Sequence, residues 1–256
     1  MKYTFHLLLI ITCLACQTKE KPTEEQATIQ EENTAADGFN LEASDQSAID
    51  IADKVMEAMG GRKAWDDTRY ISWQFFNSRQ LWWDKWTGDV RVESLKSDLK
   101  ILVNIHDLTG KVFKDSATLS KVDSLDYYLN RGKSMWINDA YWLVMPYKLK
   151  DSGVTLKYLK EDTTEVGALS DVLQLSFESV GDTPENHYEV WVDKQSNLVT
   201  QWAFYRNDTV TTPNFTTPWE DYNRHGNILL SGGRGRGKLT EINVADSMSV
   251  DLFIEF

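Results

Sequence analysis

Cysteine is almost absent from this chain of 256 residues, which has Cys13 and Cys16 and no other thiol. Beyond position 16 the sequence therefore excludes disulfides, cysteine-ligated metals and cysteine nucleophiles. Histidine is also scarce, and none of His106, His187 and His225 has a second His, Asp or Glu at the spacing of a metal-binding helix. We therefore expect neither a disulfide framework nor a metal centre.

Catalytic motifs are lacking as well. The chain has no GxSxG nucleophile elbow and no phosphate-binding P-loop. The glycine-rich run GGRGRG at 232–237 has strand-like sequence on both sides, so we interpret it as a hairpin loop instead of an anion site. Acidic neighbours are frequent in a chain with 39 Asp and Glu, and they single out no catalytic pair. The sequence thus predicts a protein that is not an enzyme and needs no cofactor.

Positive charge and long hydrophobic runs are both in short supply. The formal net charge is −12, which argues against binding to nucleic acid or to anionic lipid headgroups. The apolar run that starts at Leu7 and continues to Ala15 is too short to span a bilayer as a mature helix. Because Lys2 precedes it, we predict a signal peptide at residues 1–15.

The end of this run places the small residue Ala15 directly before Cys16. The pattern resembles the lipobox of bacterial lipoproteins, with Cys13 at the position where that motif usually has leucine. The resemblance implies that acyl chains such as palmitate are attached to Cys16 and anchor the protein, because several chains together hold a protein stably in a membrane. Gln17 after the cysteine implies sorting to the outer membrane, on either of its faces. An uncleaved signal anchor is the alternative.

Residues 16–45 have no Trp or Tyr and no apolar period, and they are rich in Glu, Thr, Gln and Ala. This composition predicts a disordered acidic tether. A random coil of this length reaches roughly 30 Å, so the folded part would lie away from the bilayer. We expect residues 46–256 to form a single β-rich domain.

The pattern of apolar residues changes along that domain. An amphipathic helix is predicted from Ser47 up to Gly60, with Val55 and Met59 on its buried side. From residue 71 the period becomes two, which predicts an antiparallel meander. Residues 120–140 interrupt it with one or two short helices broken near Gly132. The later predicted strands are 154–159, 172–177, 187–193, 198–206, 219–222, 227–230, 239–244 and 250–256.

Aromatic residues are abundant: ten Trp, ten Tyr and ten Phe make up 12% of the chain. Three interpretations remain open. The rings form ordinary core, they stack on sugars at Trp82 and Trp86, or they line an apolar ligand cavity. The candidate lining residues are Trp73, Phe75, Trp83, Trp142 and Met145.

Several short segments resemble a known family. The helix end MEAMGGRKAW, the segment YWLVMPYKLKDSG and the later WEDYNRHGNILL resemble uncharacterised envelope lipoproteins that are similar to the LolA/LolB-type lipoprotein carriers. The resemblance implies an α+β fold of mostly antiparallel strands. That fold is a curved, half-open β-barrel with an N-terminal helix, a helical insertion as lid and a cavity for acyl chains.

The segment 141–149 contains Pro146, which excludes a central strand or a helix interior, so we expect a helix exit or an edge strand there. Residues 141–145 would then plug or line the mouth of the barrel. The expected function is binding of a lipid or another apolar molecule by a membrane-anchored protein. The alternative is a surface-interaction or carbohydrate-binding module with a filled barrel, which would lack a cavity of the usual ~300–1,000 Å³.

Overall fold

The computed structural model describes residues 33–178, 183, 185–207 and 209–256. The predicted signal peptide, Cys16 and the first part of the predicted tether lie outside these residues. The helices in the described ranges are α1 (Gln46–Ala58), α2 (Arg62–Asp67), α3 (Val122–Val144) and α4 (Asp251–Ile254), and a 3₁₀ helix (Met145–Lys148) follows α3 directly.

The described chain also contains fourteen strands. They are β1 (Tyr70–Phe75), β2 (Arg79–Asp84), β3 (Asp89–Ser94), β4 (Lys100–Asn104), β5 (Gly110–Lys114), β6 (Ala117–Thr118), β7 (Val154–Thr163), β8 (Leu169–Phe177), β9 (His187–Asp193), β10 (Val199–Tyr205), β11 (Phe215–Pro218), β12 (Glu220–His225), β13 (Ile228–Arg234) and β14 (Gly237–Ala245).

The strands form two antiparallel sheets that share one core. The larger sheet has nine strands in the order β12-β13-β14-β1-β2-β3-β4-β5-β6, and the smaller has five in the order β11-β10-β9-β8-β7. Trp219 alone separates β11 from β12, so the chain passes directly from one sheet into the other. Most of the buried apolar residues of both sheets and of the helices belong to one cluster, and Val172, Trp191, Ala203 and Tyr205 of the smaller sheet form a second, smaller one. The architecture is the predicted α+β half-open barrel.

Helix α3 connects β6 to β7 and packs on β3, β4, β5 and β13. The sequence predicts a break near Gly132, which is wrong, because α3 continues unbroken to Val144. A Cβ atom at Gly132 would lie only 2.7 Å from Cγ2 of Ile101 on β4. This glycine allows the close approach of helix and sheet, and packing outweighs its low helix propensity.

Residues 33–45, which the sequence places in the tether, lie along β7. The backbone N–H of Asn40 donates to the carbonyl of Val154 at 3.0 Å, and that of Asp45 donates to the carbonyl of Leu156 at 2.9 Å. The Asp45 carboxylate accepts from the backbone N–H of Tyr158 at 3.0 Å. Packed chain therefore begins before residue 46. This segment covers the sheet edge that β7 would otherwise leave unpaired.

The strand predictions hold for most of the meander, and 187–193 matches β9. The predicted strand 250–256 is wrong, since this segment contains α4. Its apolar alternation reflects contacts on one side only: Phe253 stacks on Tyr70 with ring centroids 6.1 Å apart, and Arg91 donates to the carbonyls of Leu252 and Glu255. The hydrogen bonds from Arg91 hold this segment in place, in the way that pairing with a neighbouring strand would have done.

Helix α3 ends at Val144 and Pro146 lies in the 3₁₀ helix that follows it, so the predicted helix exit is confirmed. The next residue, Tyr147, fixes this exit. Its hydroxyl lies 2.9 Å from the carbonyl oxygen of Met59 and accepts from the backbone N–H of Leu229 at 3.1 Å. Its ring stacks on Trp65 at 4.3 Å. One side chain thereby joins the end of α1, the end of α3 and β13.

Candidate functional site

A cavity of about 450 Å³ lies between α3 and the strands. This volume falls within the range of ligand pockets, ~300–1,000 Å³, and it disagrees with a completely filled barrel. The lining residues come from β2, α3, the chain after it and the smaller sheet. They are Trp83, Trp136, Ile137, Asn138, Ala140, Tyr141, Trp142, Val144, Lys148, Asp151, Ser152, Val154, Phe177, Thr183, Tyr188 and Trp202.

Helical periodicity explains why the last turns of α3 dominate this lining. Trp136, Ala140 and Val144 are spaced by four residues, as are Ile137 and Tyr141, so they form adjacent rows on one side of the helix. Leu143 is almost fully buried in the core instead. The helix therefore places one side against the core and presents another to the cavity.

Aromatic rings form one end of the cavity. Tyr188 on β9 and Trp202 on β10 are stacked, with centroids 5.0 Å apart and planes at 6°. Trp142 meets Trp202 edge to face at 4.7 Å and 83°, and it stacks on Phe215 at 5.8 Å. Tyr141 lies 5.4 Å from Tyr188. Because each ring is held by others, this wall has a defined shape and offers large apolar faces.

A second aromatic pair lies on the side of the larger sheet. Trp83 on β2 and Trp136 on α3 meet edge to face with centroids 5.2 Å apart. Trp83 also contacts Trp65 at 6.5 Å. The cavity thus has indole rings from β2, α3 and β10, three elements that are far apart in sequence.

Polar side chains gather where the chain leaves α3. Lys148 and Asp151 form an ion pair, and each side chain is about one third exposed (35% and 36%). Ser152 and Asn138 lie in the same lining. An exposed pair of this kind adds little stability. It provides charge and hydrogen-bonding groups beside an otherwise apolar cavity.

Four buried donors around the cavity have no hydrogen-bond partner among the described residues: the Tyr141 hydroxyl and the indole N–H groups of Trp83, Trp136 and Trp202. Burial raises the pKa of Tyr141 well above its ordinary value, and burial raises that of Tyr188 to about 12. Both phenols therefore stay protonated at neutral pH. The remaining ionisable lining residues, Lys148 and Asp151, form an ion pair with each other.

The structure divides the five candidate lining residues into two groups. Trp83 and Trp142 line the cavity. Trp73 and Met145 are fully buried in the core, and Phe75 lies behind the wall with its ring 6.5 Å from Trp142. Within the segment 141–145, the lining residues are Tyr141, Trp142 and Val144.

Sequence reasoning missed Tyr188 and Trp202, which hold the aromatic wall together. Tyr188 pairs with Phe204, and Trp202 pairs with Val190, on adjacent strands. These four residues alternate along β9 and β10, so they share one face of the sheet. Large side chains at such paired alternate positions were the signal that could have found them.

The other proposed aromatic site, Trp82 and Trp86, lies away from this lining. Trp86 is 59% exposed after β2, and its indole N–H donates to the carbonyl of Asp66 at 3.0 Å. An arginine lies near each ring: the guanidinium of Arg69 is 5.1 Å from Trp86, and that of Arg91 is 5.8 Å from Trp82. Nothing in this arrangement singles out sugar binding.

Across the described residues, no group of three or more His, Cys, Asp or Glu side chains could hold a metal ion. In the same part of the chain, no helix has both the length and the apolar character needed to cross a membrane.

No protein-family model matches the chain, and no curated protein matches it. Solved structures do match at 10% identity. A DUF1329 family protein from Desulfovibrio piger aligns with a TM-score of 0.45 over 80% of this chain and 96% of its own. A LolA superfamily protein from Nitrosomonas europaea aligns with a TM-score of 0.42 over 81% and 97%.

A putative outer membrane lipoprotein-sorting protein domain from Vibrio parahaemolyticus aligns with a TM-score of 0.35 over 78% of this chain and 97% of its own, again at 10% identity. One of these matches bears the name of the carrier family that the sequence segments resemble.

Proposed function

We propose that this protein is an outer-membrane lipoprotein, anchored through Cys16, that binds a lipid or another apolar ligand without chemical conversion. The observation that carries this proposal is the cavity of about 450 Å³, with aromatic walls and polar groups beside the end of α3.

Apolar ligands match the chemistry of the lining. Burying a methylene group contributes about 0.8 kcal/mol, and the stacked rings of Tyr188 and Trp202 supply flat surfaces for dispersion contacts. A polar headgroup would lie beside Lys148, Asp151 and Ser152. An amphiphile with one acyl chain fits this distribution better than a sugar, which needs hydrogen-bonding groups all around it.

Native mass spectrometry of the purified protein tests the proposal together with titration of a fluorescent fatty-acid probe. We expect adducts with masses of lipids, and saturable probe binding that unlabelled fatty acid displaces. A protein that carries no adduct and gives no saturable probe signal would contradict the proposed function. The exposed-residue variant Trp86→Ala serves as the matched control, since it removes one tryptophan outside the cavity lining.

A further inference from the structure

A lysine, an asparagine and an aspartate meet in the interior, apart from the cavity. Asn33 lies in the segment along β7, Asp53 lies on α1, and Lys150 follows the 3₁₀ helix. Their exposed fractions are 4%, 2% and 8%. The carboxylate oxygen Oδ1 of Asp53 accepts from Nδ2 of Asn33 at 2.7 Å and from Nζ of Lys150 at 2.5 Å.

Burial disfavours charge on the carboxyl group of this cluster. Separate charges on Lys150 and Asp53 are costly to keep away from water, whereas a neutral amine beside a neutral carboxyl is not. Burial raises the pKa of Asp53 above its ordinary value, against the opposing effect of Lys150. Because Nζ of Lys150 donates to Asp53, this carboxylate is the group placed to accept the proton that Lys150 must lose before it can act as a nucleophile.

Two acceptors in the cluster remain unsatisfied. Oδ1 of Asn33 and Oδ2 of Asp53 are buried and have no hydrogen-bond partner among the described residues. Unsatisfied buried acceptors are costly and rare. A proton on Oδ2 of Asp53 would turn this unsatisfied acceptor into a donor. A carboxyl group that donates to the Asn33 carbonyl would also draw electrons from its carbon and make that carbon more electrophilic.

We propose that Lys150 and Asn33 become joined by an intramolecular isopeptide bond, with Asp53 as the proton-transfer residue. The neutral amine of Lys150 attacks Cγ of Asn33 and forms a C–N bond. Asp53 carries a proton from the attacking nitrogen to Nδ2. The Cγ–Nδ2 bond then breaks, ammonia leaves, and an amide remains. The reaction needs no oxidant and no cofactor, and the flexible lysine stem supplies the motion that attack requires.

Such a bond would tie the segment that contains Asn33 to the residues just after the 3₁₀ helix. Thiols cannot do this, since the chain has none beyond Cys16. Like a disulfide across a long loop, the bond would restrict the unfolded chain, but it would resist reductants. It would also transmit tension from the membrane anchor directly to Lys150, bypassing α1.

Peptide mapping of the full-length protein after denaturation and trypsin digestion tests the proposal. Trypsin does not cut after an acylated lysine, so we expect residues 149–157 as one peptide, joined to the peptide that contains Asn33 and ends at Lys54. The joined mass should be that of both peptides less one ammonia. If trypsin cleaves the wild-type protein after Lys150 and the Asn33 peptide is recovered unlinked, this result alone overturns the proposal.

Variants assign the roles. Asn33→Ala and Lys150→Arg should yield only unlinked peptides, and Asp53→Asn should lose the link although both reacting groups remain. A link that persists in Asp53→Asn would refute the role of Asp53. Lys157→Arg is the matched control, because Lys157 pairs with Asp45 in a more exposed position, and its protein should keep the link.

Discussion

Arg79 and Asp139 form a two-pronged ion pair that joins β2 to α3. Nε of Arg79 donates to Oδ2 of Asp139 at 2.6 Å, and Nη2 donates to Oδ1 at 2.7 Å. The Asp139 side chain is fully buried, while that of Arg79 is 21% exposed. Asp139 lies on α3 between the cavity residues Asn138 and Ala140, so the pair sets the position of the helix over the cavity.

Replacing Arg79 by methionine leaves a buried carboxylate without its cation. We expect Arg79→Met to lower the free energy of unfolding by about 3–5 kcal/mol at pH 7. Arg62→Met, which removes an exposed ion pair to Asp66 within α2, should cost less than about 1 kcal/mol. Urea melts of both variants measure the difference, and equal losses would show that the Arg79 pair does not anchor α3.

The loss in Arg79→Met should depend on pH. Burial raises the pKa of Asp139 even with Arg79 present, and removal of the cation raises it further. The folded state then holds this proton more tightly than the unfolded state, whose aspartate pKa is about 3.9. The free energy of unfolding therefore falls as the pH rises between the two pKa values. We expect the variant to be closer to wild type at pH 5 than at pH 7.

Trp142 tests the cavity directly. Its ring lines the cavity and is only partly buried, so Trp142→Ala should cost less than the ~3–5 kcal/mol typical of a buried aromatic residue. The same variant should bind the fatty-acid probe more weakly, while Trp86→Ala binds it normally. Denaturant melts and probe titrations check both expectations. A large stability loss, with no probe binding by the wild type, would show that residues 141–149 are ordinary core.

Gly132→Ala tests whether a side chain at this position raises or lowers the free energy of unfolding. In a helix interior, alanine is normally favoured over glycine by about 1 kcal/mol. At Gly132 the new Cβ would lie 2.7 Å from Ile101 and 3.3 Å from Val103, so we expect Gly132→Ala to destabilise the protein by about 1–3 kcal/mol. Ser134→Ala, at an exposed position of the same helix, should be neutral or stabilising. A stabilised Gly132→Ala protein would mean that α3 packs less closely on β4.

Asp45→Ala tests whether the segment 33–45 protects the edge of β7. Asp45→Ala removes the acceptor of the Tyr158 backbone N–H and should lower the free energy of unfolding by about 1–3 kcal/mol. Hydrogen exchange at the Tyr158 amide should become faster. Asp37→Ala, at an exposed position of the same segment, is the control and should change neither quantity. Unchanged exchange at Tyr158 in Asp45→Ala would contradict the assigned contact.

Cys16 tests the anchor. Cys16→Ser should leave the precursor without acyl chains and move the protein to the soluble fraction or hold it in the inner membrane. Fractionation of cell envelopes, followed by immunoblotting, measures the distribution. Normal recovery of Cys16→Ser in the outer membrane would rule out anchoring through this residue.

Local pattern predicted much of this fold from the sequence. The helix before Gly60 and the alternation around Trp73 and Trp83 are encoded within a few residues, and both match the structure. The unbroken α3 depends on the space beside Gly132, and α4 depends on Arg91, which is distant in sequence. Such contacts between residues distant in sequence cannot be predicted from the local pattern of apolar residues.

The candidate site was harder to predict for a related reason. Alternation puts Trp73 and Trp83 on the same, inward face of their strands. It does not say that Trp83 reaches the cavity while Trp73 lies in the core. That difference depends on where α3 crosses the sheet. The partners Tyr188 and Trp202 come together only after β9 and β10 pair.

The single residue between β11 and β12 limits how the molecule can deform. The backbone N–H of Trp219 donates to the carbonyl of Thr200 at 2.8 Å, so this corner cannot lengthen without breaking the ladder. On the other side, β6 and β7 are connected through α3. We therefore expect the corner at Trp219 to stay fixed when a larger ligand enters the cavity.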